Sequence, residues 1–283
     1  MNNLKTFILL TALTLFLIWI GEIVGGPRGA MFAFVFSLMM NLGAFWFSDK
    51  LVLAMYRAQP VKEAQAPEIY RMVREITQSA RLPMPKIYMV PQNGANAFAT
   101  GRGPNHAAVC VTEGIVDLLS PEELKGVLAH ELAHVKNRDI LIGSIAAAIA
   151  GAIMMLANMA RWAMMFGGYS RDNRDRGGSN NALGLLFMVI LAPFAAMVIQ
   201  MAISRGREYA ADASGASFLH TGLPLASALR KLEAQSIRRP IEANPQSAHM
   251  FIVNPLRGQS FFALFSTHPP IKDRIERLER IRS

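Results

Sequence analysis

Residues 120–160 read SPEELKGVLAHELAHVKNRDILIGSIAAAIAGAIMMLANMA, and the two halves of this stretch decide the fold. The first half opens with the signals of a helix start: Ser120 as N-cap, Pro121 at the first helical position, and Glu123 to close a capping box. Val127, Leu128, Leu132 and Val135 then recur at helical spacing. The pattern predicts a helix that runs straight on into the second half. There, Ile140 to Ala160 carries no charge over a length close to the ~20 residues that cross a hydrocarbon core. Between the halves stands His130-Glu131-Leu132-Ala133-His134. Histidines at i and i+4 share a helix face and can turn one ring nitrogen each toward a single metal ion. Neutral imidazoles suit zinc, which lowers the pKa of bound water from ~15.7 to about 7. Glu131, next to the first histidine, can reach such a water as general base.

Moving outward, the apolar residues gather in four blocks: Thr6 to Val24 (broken only by Glu22), Gly29 to Ser48, Ile140 to Ala160, and about Ala182 to Ser204 with Pro193 inside it. The first block is longer than a signal-peptide core, and Gly25-Gly26-Pro27-Arg28 is not a small-residue cleavage site, so 1–48 reads as an uncleaved helical hairpin. A second hydrophobic hairpin covers 140–204. Its loop, 161–181, is rich in Gly, Ser, Asn and mixed charge. The soluble sequence lies in two pieces, 49–139 and 205–283, which would form the two halves of one catalytic domain. The net charge of +9 points to anionic lipid, since Lys and Arg flank membrane spans and no nucleic-acid motif is present. Lys and Arg are more numerous on the side of these two pieces, which places that side in the cytoplasm. Cys110 is the single cysteine, so no intrachain disulfide exists.

The piece 49–139 has the pattern of an α+β unit. Ala66 to Ala80 is helical through Ile69, Met72, Val73 and Ile76. Lys86 to Val90, Ala95 to Thr100 and Ala107 to Thr112 read as short strands, the last two joined by a turn at 101–105. Asn96, Ala97 and Phe98 belong to a segment that could be an edge strand and bind extended substrate by main-chain pairing; an internal hairpin is the alternative.

A catalytic zinc needs a third protein ligand and one open position. Glu208 is the candidate, in Ser204-Arg205-Gly206-Arg207-Glu208-Tyr209-Ala210-Ala211-Asp212. His134 lies six residues before the third block, ~9 Å along a continuous helix, and Glu208 four residues after the fourth, ~6 Å. The two ends of one hairpin thus bring the two parts of the site to similar height. Asp212, one turn beyond Glu208, is placed to fix the tautomer of a ligand histidine. Asp139 reads as a charge at the membrane edge, with a place behind a ligand histidine as the alternative. His106, His220 and His249 have no partner pattern.

HELAH, then a hydrophobic hairpin, then SRGREYAADASGA, and finally STHPPIKDRI resembles the HtpX proteases of bacterial inner membranes, relatives of the CAAX prenyl proteases among the gluzincins. The resemblance extends to NAFATG (96–101) and covers nearly the whole chain. It implies one zinc at His130, His134 and Glu208, Glu131 as catalytic base, and His268 as a donor to the oxyanion. The last helix buries Ile271, Ile275 and Leu278 by its spacing, which leaves Arg274 either one turn from the site as oxyanion support or solvated. The resemblance also implies a role in stress and quality control, with misfolded or surplus membrane proteins and unfolded proteins as substrates. The fold it implies is mainly α: four transmembrane helices plus an α+β zincin-like metalloprotease domain with a small β-sheet. Three rivals stand beside it. A CAAX-type endopeptidase is separable by a lipid-dependent substrate. An adaptor with structural zinc would need four Cys or His ligands, and Cys110 is not spaced to complete a set. A transporter would carry ionisable groups within its spans, and these blocks lack them apart from Glu22.

Overall fold

The computed structural model of the chain describes residues 2–141, 145, 205–238 and 269–281. The helical stretch α1 (Asn2–Met55) is two helices joined across Gly25 and Gly26, where the backbone leaves helical geometry. Gly26 sits at φ 58°, ψ −150°, a region essentially closed to residues with a Cβ. Pro27 then restarts the helix. The arms run antiparallel, as the Asn41 amide shows by donating to Thr14 Oγ1 at 2.8 Å and to the Leu10 carbonyl at 3.3 Å. Near the turn they approach so closely that a Cβ on Gly21 would lie 2.7 Å from that of Ala33. The expected helical hairpin is therefore present. Its second arm passes Ser48, the expected end, and stops at Met55 after a 71° bend between Gly25–Gly43 and Trp46–Met55. Among the described residues no single helix is long and apolar enough to cross a membrane, although this bent pair is, by length and composition. The third and fourth apolar blocks fall outside the described residues except for Ile140, Leu141 and Ile145, as does the loop 161–181.

Four strands follow: β1 (Gln59–Pro60), β2 (Lys86–Val90), β3 (Ala97–Gly101) and β4 (Ala107–Thr112), in the order β1-β2-β4-β3. β2 and β4 pair in parallel, while β3 pairs antiparallel with β4 and forms an edge. Strands β2 and β4 have the expected bounds. β3 starts two residues later than its pattern suggests, because the Asn96 N–H is taken by Thr112 Oγ1 at 2.9 Å. A short 3₁₀ turn, Pro104–His106, links β3 to β4.

The helices are α2 (Pro67–Ala80), α3 (Glu113–Leu118), α4 (Pro121–Lys136), α5 (Arg205–Leu219), α6 (Leu223–Arg238) and α7 (Ile271–Arg280). α4 is the central element. It packs on α2, β3, α5 and α6, and α7 packs on α5 and α6. Leu124, Val127, Leu128, Ala129, Leu132 and Ala133 are all buried, so α4 is apolar almost all round, as a core helix should be. Its capping box forms as expected: Ser120 Oγ accepts from the Glu123 N–H, and the Glu123 carboxylate accepts from the Ser120 N–H. α2 buries Ile69, Met72, Val73 and Ile76, and α7 buries Ile271, Ile275 and Leu278.

α4 does not run on into the apolar block. It ends at Lys136 in a Schellman motif: the Arg138 N–H bonds the Val135 carbonyl, and the Asp139 N–H bonds the His134 carbonyl at 2.9 Å. Arg138 occupies the left-handed C′ position at φ 59°, where glycine is the usual residue. With no glycine or proline to mark it, this stop left no trace in the apolar periodicity. The ~9 Å height inferred for a continuous helix therefore does not apply.

Candidate active site

His130 and His134 point from α4 toward α5, which brings Glu208 opposite them. The helices can lie this close because α5 meets α4 at a glycine. A Cβ on Gly215 would sit 3.0 Å from the Ala129 carbonyl carbon and the His130 nitrogen. The Nε2 atoms of the two histidines are 3.2 Å apart. Glu208 Oε2 lies 3.7 Å from His130 Nε2, and Oε1 lies 3.5 Å from His134 Nε2. Four ligands at zinc–nitrogen distances of 2.0–2.1 Å around a tetrahedron would be ~3.4 Å from one another. The three side chains already keep about that spacing.

The other ring nitrogens explain why these three converge. His130 Nδ1 is 2.9 Å from Asp212 Oδ1, close but poorly aligned with the ring N–H. His134 Nδ1 is 3.2 Å from Asp139 Oδ2. A carboxylate beside Nδ1 holds the proton there and leaves the Nε2 lone pair free. Two lone pairs and a carboxylate then face one point, an arrangement that favours a cation between them. The charges agree. Burial alone would lower the His134 pKa, but the Asp139 bond and the charges of Glu208 and Glu131 raise it to about 9. The pocket draws positive charge to this spot.

Arg274 completes the site from α7. It is fully buried and grips Asp212 with two bonds, Nε to Oδ2 at 2.8 Å and Nη2 to Oδ1 at 2.7 Å. Burial would raise the Asp212 pKa, but the Arg274 charge and the contact with His130 outweigh it and hold it at about 2. Nη1 of Arg274 reaches within 3.5 Å of Glu208 Oε2, and Nη2 within 3.4 Å of His130 Nε2.

Glu131 projects from α4 toward the sheet edge. Its Oε2 accepts the Ala99 N–H at 3.0 Å, which ties the carboxylate to β3. Burial pushes its pKa above the ordinary carboxylate value against the opposing charges of the two histidines. Ala99 therefore turns its N–H away from β4, whereas Asn96 turns its backbone toward Thr112. Peptide groups alternate along a strand, so of Asn96, Ala97 and Phe98 it is Ala97 that turns its peptide groups away from β4, and the residue is buried there at 1% exposure. The Phe98 side chain points elsewhere, into a second core with Val52, Val90 and Cys110 and against the Tyr56 ring at 4.7 Å.

The structure thus brings together His130, Glu131, His134, Glu208, Asp212 and Arg274, with Ala97 nearby on the edge strand. His268 and His249 lie outside the described residues; His106 and His220 are exposed. Of the two readings of Asp139, the membrane-edge charge is corrected in favour of the other: it is 8% exposed and bonds the second histidine. The signal for it was there in the polar Asn137-Arg138-Asp139 that separates α4 from the apolar block. The Ala99 N–H, a main-chain group, had no sequence signal.

Residues 63–282 match Peptidase family M48. The chain is 58% identical over 278 residues to "Protease HtpX homolog" of Syntrophobacter fumaroxidans, covering 98% of each. It is 55% identical over 282 residues to the protein of the same name from Syntrophotalea carbinolica, covering 99% of each. Among solved structures it is similar to Ste24p of S. mikatae, with a TM-score of 0.50 at 16% identity. That likeness concerns the fold; it covers 98% of this chain, which spans 63% of the length of Ste24p.

Proposed function

The chain belongs to peptidase family M48 and is a metalloprotease, and from that premise we propose that it is a membrane-bound zinc endopeptidase with His130, His134 and Glu208 as metal ligands and Glu131 as general base. The observation that carries this reading is the convergence of the three ligand groups at near-tetrahedral spacing beside a buried carboxylate. When bound, zinc supplies a Lewis acid for the scissile carbonyl and makes water at the site acidic near neutral pH. Glu131 takes the proton of the attacking water and delivers it to the leaving amine. Its pKa, raised by burial, suits both halves of that transfer. The Ala99 N–H keeps the carboxylate in one orientation meanwhile. Asp212 and Asp139 hold the two imidazoles in the tautomer that offers Nε2, and Arg274 fixes Asp212 in turn. Extended substrate pairs with the outward peptide groups of β3 around Ala97. His268, three residues before α7, is the further donor to the oxyanion.

The apolar hairpin of α1, followed by two further apolar blocks in the sequence, supports residence in the bacterial inner membrane with the catalytic part in the cytoplasm. A site held there meets loops and ends of membrane proteins, which suits the removal of misfolded or surplus ones. The test is cleavage of unfolded casein by the detergent-purified chain, stripped of metal and then titrated with zinc, with Glu131→Gln in parallel. Activity restored by zinc in the parent but not in Glu131→Gln, while both bind zinc, is the expected result. Equal cleavage by the mutant would overturn the assignment of the base. Tight zinc binding without any cleavage would overturn the assignment of an open catalytic site.

A further inference from the structure

The last ten residues of α1 expose large apolar side chains that the catalytic reading leaves unused. Trp46, Phe47, Leu51 and Met55 are 38–58% exposed, while Ser48 and Val52, on the other face, are buried. Phe47, Leu51 and Met55 follow one another at i, i+4 and i+8 and so form one stripe. The opposite face is fastened to the protease: Val52 and Tyr56 pack on Phe98 of β3. The helix is thus apolar not only on the face fastened to the protease but also on its exposed face.

Two further observations say what covers that face. The segment before it, Gly25–Gly43, is ~28 Å long at 1.5 Å per residue, close to the ~30 Å of a bilayer core. If that segment stands along the membrane normal, the 71° bend lays Trp46–Met55 almost flat where the hydrocarbon ends. Cations gather at the same level. Lys50 lies over the Phe47 ring at 5.4 Å, and Arg102, from the turn between β3 and β4, stacks on Trp46 at 4.4 Å. Arg57 follows the helix and is exposed. Tryptophan with nearby Lys and Arg is the composition of a membrane–water interface.

We propose that Trp46–Met55 is an interfacial helix that lies in the headgroup region of the bilayer with Trp46, Phe47, Leu51 and Met55 in lipid. Its partner is the lipid surface itself. Because the inner face carries Phe98 and the Trp46 ring carries Arg102, the helix fixes both the middle and the tip of the edge strand that would take up substrate. The Glu131 carboxylate bonds that same strand at Ala99, so the active site is held within a few residues of the lipid.

The inference rests on the reading of the α1 hairpin as a membrane segment, and two tryptophans separate the two claims. In the Glu131→Gln background, Trp19→Phe with Trp162→Phe leaves Trp46 as the sole tryptophan, and Trp46→Phe with Trp162→Phe leaves Trp19. Each full-length variant is reconstituted in phosphatidylcholine vesicles brominated either just below the headgroup or near the acyl-chain ends. The expected result is loss of Trp46 emission, larger with the shallow bromines than with the deep ones, together with quenching of Trp19. Quenching of Trp19 without quenching of Trp46 would overturn the inference and leave the hairpin in the membrane. Strongest quenching of Trp46 by the deep bromines would overturn it in favour of a continuous span. Quenching of neither would remove the membrane hairpin and the inference with it.

Discussion

The imidazole of His134 is held by Asp139, a carboxylate five residues further along that lies beyond the end of the same helix, with 3.2 Å between Nδ1 and Oδ2. The Schellman turn makes this contact possible. By placing Arg138 in the left-handed region, at a cost of about 1–2 kcal/mol for a residue with a Cβ, it folds the chain back so that Asp139 meets the histidine from below. An uninterrupted helix would have carried Asp139 onward and rotated it off the His134 face. Backbone strain retained next to three converging groups that could hold a metal ion is the pattern expected where it serves a site.

Removing that carboxylate should therefore weaken metal binding more than it weakens the fold. Asp139→Asn is expected to lower zinc affinity by roughly 10–100-fold, read by competition with a chelating dye, while far-UV circular dichroism stays unchanged. An unaltered zinc affinity would show that Asp139 does not orient His134.

A second prediction concerns the helix contact that sets the ligand spacing. Gly215 faces the α4 backbone at Ala129 and His130 with no room for a larger residue. Gly215→Leu forces α5 away from α4, and overpacking of this kind costs about 1–3 kcal/mol. Glu208 and Asp212 ride on α5, so the shift also withdraws the proposed third ligand and the carboxylate beside His130 from the histidines. The expected outcome is a lower unfolding temperature in detergent and a loss of zinc affinity. Gly215→Ala should show the same effects in smaller measure. Loss of stability with zinc affinity intact would mean that the spacing is set elsewhere.

These contacts also show how much the sequence could disclose. The pairing of His130 with His134, and of Glu208 with Asp212, was legible because helical periodicity puts i and i+4 on one face; Glu131 was legible from its place beside His130, and Glu208 from the hairpin and the resemblance. The capping box at Ser120 and the buried stripes of α2 and α7 were legible for the same local reason. The role of Arg274 was not, because a buried arginine reads like any surface arginine until its partner on another helix is known. Neither was the parallel pairing of β4 with β2, since strand order is settled by long-range contacts; the edge position of β3 was one of the two readings its sequence left open. The stop at Lys136 was hidden because Arg138, rather than glycine, takes the left-handed position.

Acid stability offers a third prediction, away from the metal. Glu123 caps α4 and also accepts from Ser227 Oγ and Lys231 Nζ, both at 2.7 Å. Burial raises its pKa, but these bonds and the Ser120 N–H outweigh burial and hold it at about 2, against 4.5 for an unperturbed glutamate. Between those values the unfolded chain binds the proton and the folded one does not. The stabilisation is thus fully present above pH 4.5 and is lost as pH falls toward 2. Lys231 is half exposed, so screening reduces the contribution to about 1–2 kcal/mol. Glu123→Gln should flatten the decline of unfolding temperature across this window. An unchanged decline would place the acid sensitivity on other carboxylates.

The last prediction tests whether Arg274 and Asp212 act as a unit. Both are buried, at 0% and 3% exposure, and two bonds join them. Arg274→Met leaves the Asp212 carboxylate in a desolvated site with only His130 beside it, and breaking a buried pair from one side typically costs about 3–5 kcal/mol. Asp212→Asn harms the same pair from the other side and loosens His130 as well. If the energy resides in the pair, the double variant should lose clearly less stability than the two single losses added together, with a coupling of about 0.5–3 kcal/mol. Urea unfolding of the four proteins in detergent measures that coupling. Zinc affinity, followed in parallel, separates the structural loss from the positioning of His130: Asp212→Asn should weaken zinc binding even where it leaves most of the stability intact. Strict additivity of the two losses would mean that Arg274 is anchored chiefly by its other neighbours, Glu208 foremost, and that Asp212 holds His130 without its help.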